Sequence, residues 1–353
     1  MTIWALGYLT AVACGDEQAP KGYVRGLVQV SERVYRCLFT SDGKRLLVLG
    51  PRWNYFQAVP PYARLEEHPV PRGYVHISPD QQKIYVAEPE VLRVLRLDDM
   101  STERQIPYSA DEKALIGIGG VISDDGKFMA SGAGRDVYVR DAETLNLVSH
   151  YRHGAVADNI AFFRFVDNSK KLIVAWTKTA DYEPVATQLI DVATGTATRF
   201  PFGFRMFKQG RGIGAVSPDG KTVALGNLTL VDAQTLEPRW QTSAGLPPGT
   251  IAFSRDGRWI LLNGHPSFRS ENDQKEYVAC AFRVVDAATG KLLLTMPVDT
   301  PGLTPPTPMT TFTFSPDGRT LATCSHDPEQ RLAPIVLWDW EKIETELLVK
   351  AKP

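Results

Sequence analysis

The chain has 353 residues, with 39 basic against 40 acidic side chains and a net charge of −1. That balance gives no overall attraction for nucleic acid or an anionic surface, so neither is expected as a partner. With 43% hydrophobic and 10% aromatic residues it belongs to the folded globular class, and it lacks the run of about 18 apolar residues that would predict a membrane-spanning helix.

Residues 1–22 open two readings. The stretch "MTIWALGYLTAVACG" joins an apolar run to a small-residue box ending at Cys14, the pattern of an exported, lipid-anchored segment. Against it, no Lys or Arg precedes the run, and 13 residues before the cysteine is short for a signal. The favoured reading is a strand, because "YLTAVACGDEQAPKGYVRGLVQV" alternates like two strands joined by a turn. Such a strand can close a ring against the last repeat, although the C-terminal "EKIETELLVKAKP" competes for the same place. The strand reading goes with a cytoplasmic protein, and the alternative with export or lipid anchoring through Cys14.

From Phe39 onward one pattern recurs seven times: "FTSDGKRLLVLG", "ISPDQQKIYVAE" from Ile77, "ISDDGKFMASGA" from Ile122, "FVDNSKKLIVAW" from Phe165, "VSPDGKTVALGN" from Val216, "FSRDGRWILLNG" from Phe253 and "FSPDGRTLATCS" from Phe314. The starts lie 37 to 61 residues apart, a spacing that marks a repeat architecture. Within each copy a turn such as Pro316-Asp317-Gly318 joins two strands: proline presets φ, Asp bonds nearby backbone and Gly takes the positive φ. Gln81 and Ser169 occupy the glycine place in two copies, so those turns are expected to differ or to carry strain. A second hairpin follows in six copies, turning at Asp98, Asp141, Asp191, Asp232, Asp286 and Asp339. Each repeat is therefore four antiparallel strands, a to d, and the first repeat has the least clear c and d strands.

Small sheets repeated around an axis predict an all-β fold, a seven-bladed β-propeller of four-stranded antiparallel blades. It is expected to span 23–349 as a single domain, with 350–353 as a tail. Strands apolar on both faces, such as "RLLVLG" and "WILLNG", suit sheets buried between neighbours. Glycines at 117, 119, 120, 212 and 214 suit crowding near the axis. Cys14, Cys37, Cys280 and Cys324 have no close spacing, which excludes zinc-ribbon and redox-pair motifs. Cys37 and Cys324 fall in the first and last blades, neighbours in a closed ring, where free thiols are favoured over a disulfide.

The pattern resembles the bacterial WD-repeat β-propellers, on the Trp338-Asp339 dipeptide of "LATCSHDPEQRLAPIVLWDW" and on "HGAVADNIAFFRF", which has their Gly-His pair in reversed order. "ISPDQQKIYVAEPEVLRVLRLDD" and "VVDAATGKLLLTMPV" are similar to YVTN-type propeller repeats. The first resemblance implies a noncatalytic scaffold that binds a protein or peptide. The second implies the alternative, an enzyme or small-ligand binder of lactonase or quinoprotein type using the axial funnel. With one Trp-Asp dipeptide and no repeat carrying a clean Gly-His, the Asp-His-Ser/Thr-Trp network of the WD family is mostly missing from this chain.

Alternating connectivity puts the a–b and c–d turns at one end and the b–c and d–a loops at the other. The first end is uniform and reads as architecture. The second is irregular, in segments 50–62, 177–184, 200–211, 263–276 and 297–308, and loops on a rigid scaffold are where binding resides. "RFPFGFRMFKQGR" interleaves Phe202, Phe204 and Phe207 with Arg205 and other cations, a composition enriched at protein interfaces and equally suited to plugging a blade seam. Arg52, Trp53 and Tyr55 in the first loop, with Phe268 and Arg269 in another, extend the candidate patch. No catalytic, cofactor or metal residues are expected: His150 and His153, or His265 with Glu271 and Asp273, read as loop side chains, and Gly210, Gly212 and Gly214 precede a strand rather than the helix a phosphate loop needs. A monomer without cofactor is expected.

Overall fold

The apolar runs flanking each repeated turn fold back on one another as antiparallel strands. The computed structural model describes residues 22–348 apart from 29, 31–33, 35, 51, 61, 69–73, 79, 81, 89–90, 108–117, 124, 134, 155–158, 178–183, 200–213, 226–227, 243–249, 264–266, 272–273, 279, 298–308 and 326–334, with backbone only for residues 74, 76, 87, 118–120, 133, 159, 161–163, 177, 184–185, 263, 267–271, 274–278, 280–281, 297, 309–310 and 325. The first three blades are Arg36–Phe39, Arg45–Leu49, Trp53–Gln57 and Arg64–His68; then Tyr74–Ile77, Lys83–Ala87, Val91–Arg96 and Thr102–Pro107; then Ile118–Ile122, Phe128–Ala133, Asp136–Asp141 and Leu147–Arg152. Blade 4 is Asn159–Val166, Lys171–Thr177, Pro184–Asp191 and Ala197–Arg199, and blade 5 is Gly214–Val216, Thr222–Leu225, Thr229–Asp232 and Pro238–Gln241. Blade 6 is Ile251–Phe253, Trp259–Asn263, Cys280–Asp286 and Leu292–Pro297.

Blade 7 takes strands a to c from Met309–Phe314, Thr320–Ser325 and Ile335–Asp339, and its outer strand from the other end of the chain, Val24–Val28. The ring of seven four-stranded blades is thereby closed, and the competition between the termini is resolved. Asp339 caps a short helix, Trp340–Ile343, by accepting from the Lys342 N–H, and a wider turn follows over Glu344–Leu348. Trp340 and Ile343, one helical turn apart, are buried against the last two blades. Among the described residues no helix is long and apolar enough to cross a membrane.

The core is divided among the seams. Seven apolar clusters occupy the seven junctions between neighbouring blades: Leu47 and Tyr55 meet Ile84 and Val86 between blades 1 and 2, and Val139 meets Phe165 and Trp176 between blades 3 and 4. Between the last blade and the first, Val28, Ala322 and Ile335 meet Phe39, Leu46 and Val48. No single centre has to hold the whole chain, which is how a domain of this length avoids splitting. Each fully buried aliphatic or aromatic side chain contributes roughly 1.5–3 kcal/mol relative to exposure. Such residues concentrate on the b and c strands, for example Leu46 to Leu49 and Leu172 to Trp176, all buried.

Candidate interaction surface

The uniform end is built by a side-chain code. In six blades a Ser or Thr stands two residues before the turn Asp, and its hydroxyl donates to the carboxylate: Thr40 to Asp42, Ser123 to Asp125, Ser217 to Asp219 and Ser315 to Asp317, at 2.5–2.7 Å, with Ser78 to Asp80 and Ser254 to Asp256 alike. The same hydroxyl accepts from the N–H five residues on, as Ser315 does from Thr320 at 2.9 Å, so one side chain staples both strands. Burial opposes ionisation of Asp42, Asp125, Asp219 and Asp317, yet the hydroxyl and backbone donors outweigh it and hold all four carboxyls below the usual range. In the c–d turns Asp141, Asp191 and Asp286 each accept from two backbone N–H groups and a Thr hydroxyl. Asp232 gains the Arg239 guanidinium at 2.7 Å, which with the Thr235 and Gln234 N–H groups takes its carboxyl down to about 2.

The turns also latch blade to blade. Ser41 donates to Asp98, Arg45 to the Asp98 carbonyl at 2.7 Å and Tyr55 to the Leu97 carbonyl. Ser149 donates to the Val192 carbonyl at 2.6 Å, Gln234 to Asp167 at 2.9 Å and the Trp240 indole to the Ala287 carbonyl at 2.9 Å. Between blades 5 and 6 this end holds a groove of about 530 Å³ lined by Asp219, Arg239, Arg255, Arg258 and Asp286 among others. Arg239 is paired with Asp232, and Arg258 with Asp256 and Glu344, so the charges around the groove are balanced.

At the irregular end the structure redistributes the expected patch. Residues 53–57 are strand c of blade 1, so the expected first loop shrinks to a short turn. Trp53 and Tyr55 are 2% and 0% exposed and face blade 2, while Phe56 faces blade 7; the period of two puts all three aromatics into seams. Both are thus removed from the surface. Arg52 is exposed and paired with Glu67 at 3.2 Å, beside Arg64–Glu67 and a His68–Glu66 contact of 3.1 Å. Phe202, Phe204, Arg205 and Phe207 lie outside the described residues, as do 178–183 and 298–308. Segment 263–276 carries a two-stranded hairpin, Ser267–Glu271 with Gln274–Val278, separate from the blade sheet. Its register sets Phe268 opposite Tyr277 and Arg269 opposite Glu276.

His150 and His153 do not converge, and His265 and Asp273 lie outside the described residues. His150 Nε2 lies 2.9 Å from Asp136 and its ring stacks on Tyr138 at 4.5 Å, whereas His153 is buried against Trp176 at 5.0 Å. Among the described residues no group of three or more His, Cys, Asp or Glu side chains is placed to hold a metal ion. Sequence reasoning missed the stapling hydroxyls, although a Ser or Thr two residues before the turn Asp is visible once the copies are aligned.

The family model described as WD domain, G-beta repeat matches residues 303–328, which include strands a and b of blade 7. In that blade the Trp338 indole donates to Thr323 Oγ1 at 2.9 Å and ties strand c to strand b. The repeat match and the ring of seven blades together support a WD-repeat β-propeller. A search of curated proteins found no match.

Proposed function

We propose that this chain is a noncatalytic interaction platform of the bacterial WD-repeat or YVTN-like kind, binding a protein or peptide on the end that carries the b–c and d–a loops. The observation that carries this reading is the asymmetry between the ends. At one, short turns spend their donors and acceptors on their own backbone and on neighbouring blades; at the other, the connection between strands b and c of blade 6 forms a two-stranded sheet of its own, paired among the described residues with no blade strand. An element outside the blade sheets of a rigid ring offers contact area without cost to the scaffold. Arg52, Phe202, Phe204, Arg205, Phe207, Phe268 and Arg269 form the proposed contact set, with the aromatics as buried anchors and the guanidiniums as polar contacts.

Affinity capture from native lysate followed by mass spectrometry tests this, comparing the wild type with a chain carrying Phe204→Ala and Arg205→Ala. The expected result is a partner recovered at least tenfold less by the variant, with the melting temperature within about 2 °C of wild type. A large fall in melting temperature would instead assign both residues to a seam.

A further inference from the structure

Two thiols meet where the ring closes. Cys37 lies on strand a of blade 1 and Cys324 on strand b of blade 7, and both are fully buried thiols outside any disulfide. Thr311 Oγ1 sits 3.2 Å from Cys324 Sγ and 3.8 Å from Cys37 Sγ, so one hydroxyl bridges the two thiols. Apolar side chains surround them, among them Val28, Phe39, Ala322 and Ile335.

The position is special in the connectivity. The outer strand Val24–Val28 is continuous in sequence with blade 1, but it is held to the rest of blade 7 by its pairing with Ile335–Asp339. A bond between Cys37 and Cys324 would cross that junction and tie blade 1 directly to blade 7.

We infer that Cys37 and Cys324 are a redox-responsive clasp, which a small-molecule disulfide such as oxidised glutathione converts to a Cys37–Cys324 disulfide that fixes the ring shut. One cysteine thiolate attacks the small disulfide, forming a mixed disulfide and releasing one small thiol. The other then attacks the protein sulfur of that mixed disulfide, forming the internal S–S bond and releasing the second small thiol. Two protein S–H groups become one S–S bond, and the two electrons and two protons end on the small thiols. A reducing thiol pool runs both exchanges backwards. The neighbouring Cys324, reinforced by burial, holds the Cys37 thiol well above its ordinary range, so the closed ring protects the pair. Reaction therefore follows opening of this seam.

The test uses the full chain under native conditions, with oxidised glutathione alone and with glutathione plus urea below the unfolding transition, followed by digestion without reduction. The expected result is a peptide pair joined through Cys37 and Cys324, formed faster with urea, and a melting temperature raised by roughly 3–10 °C that returns on adding dithiothreitol. Cys37→Ser and Cys324→Ser chains should show neither change; if a variant folds poorly, the wild-type mapping decides alone. Recovery of both residues as free thiols under both conditions, while the far-ultraviolet circular dichroism stays native, overturns the proposal, and so does a disulfide that forms without raising the melting temperature.

Discussion

A turn aspartate here does its work only as an anion. Protonation would weaken the bonds that Asp141 and Asp191 accept from backbone N–H groups and Thr hydroxyls, and would break the charge pairing of Asp232 with Arg239. The folded carboxyls of Asp42, Asp125, Asp141, Asp191, Asp219, Asp256 and Asp317 lie below the usual range, and that of Asp232 lies at about 2. Groups depressed in the folded state stabilise it fully above the unfolded value of about 3.9 and lose that contribution as pH falls through the folded values. The melting temperature is expected to be level from pH 7 to about 5 and to drop steeply between about 4 and 2. Asp232→Asn should make that drop shallower at its acid end. Thermal melts across the range check both, and a midpoint already declining at pH 6 would contradict the account.

At the scale of the element, the hairpins are held by what their turn residues permit. Gly290 sits at φ +74°, and an added Cβ would come within 2.8 Å of the Trp240 ring, whose indole latches blade 5 to blade 6. Gly126 has nearly the same φ, +71°, with nothing within 4 Å. Gly126→Ala should therefore cost about 1–2 kcal/mol for the left-handed backbone alone, whereas Gly290→Ala should cost clearly more, because the indole must also move. Denaturant unfolding of the two variants side by side gives the difference, and equal costs would remove the latch from the argument.

These hairpins were legible because Pro, Asp and Gly act locally and recur. Blade 4 departed where its residues do: Asp167, Asn168 and Ser169 all take positive φ, and Ser169 donates to Asp125 of the preceding blade, so its turn does differ. Segment 50–62 misled because Pro51, Pro60 and Pro61 punctuate it, although the alternation of Trp53, Tyr55 and Phe56 between seams already carried a strand. The hairpin Ser267–Glu271 with Gln274–Val278 was hidden by polar residues of weak strand preference, whose pairing is a property of the backbone register. The stapling hydroxyls were in plain view but silent, since a serine carries no period of its own.

At the scale of the molecule, closure depends on a few residues at the two ends. Tyr62 donates to the Arg25 carbonyl at 2.7 Å and lies so close over Gly26 that a Cβ there would sit 2.1 Å from its ring. Arg25 pairs with Asp339 at 2.9 Å, and Lys342 lies over the Tyr23 ring at 5.0 Å. Gly26→Val should displace Tyr62 and loosen the outer strand, lowering stability by about 2 kcal/mol or more. Arg25→Ala removes a half-exposed ion pair and should cost under about 1 kcal/mol. Limited proteolysis near residues 24–28 and a thermal melt separate the two, and similar behaviour of both variants would show that closure rests elsewhere.

Because Val24 faces Trp338 across a sheet, the earliest part of this strand to leave a ribosome must wait until residue 338 has followed it. At the usual pace of about 5–20 residues per second the interval is roughly 15–60 s. During it the strands of six blades can pair with their neighbours, yet two raw apolar flanks remain open to solvent and to other nascent chains. Yield during synthesis should therefore be governed by the lifetime of that unfinished circle more than by the strength of the finished one.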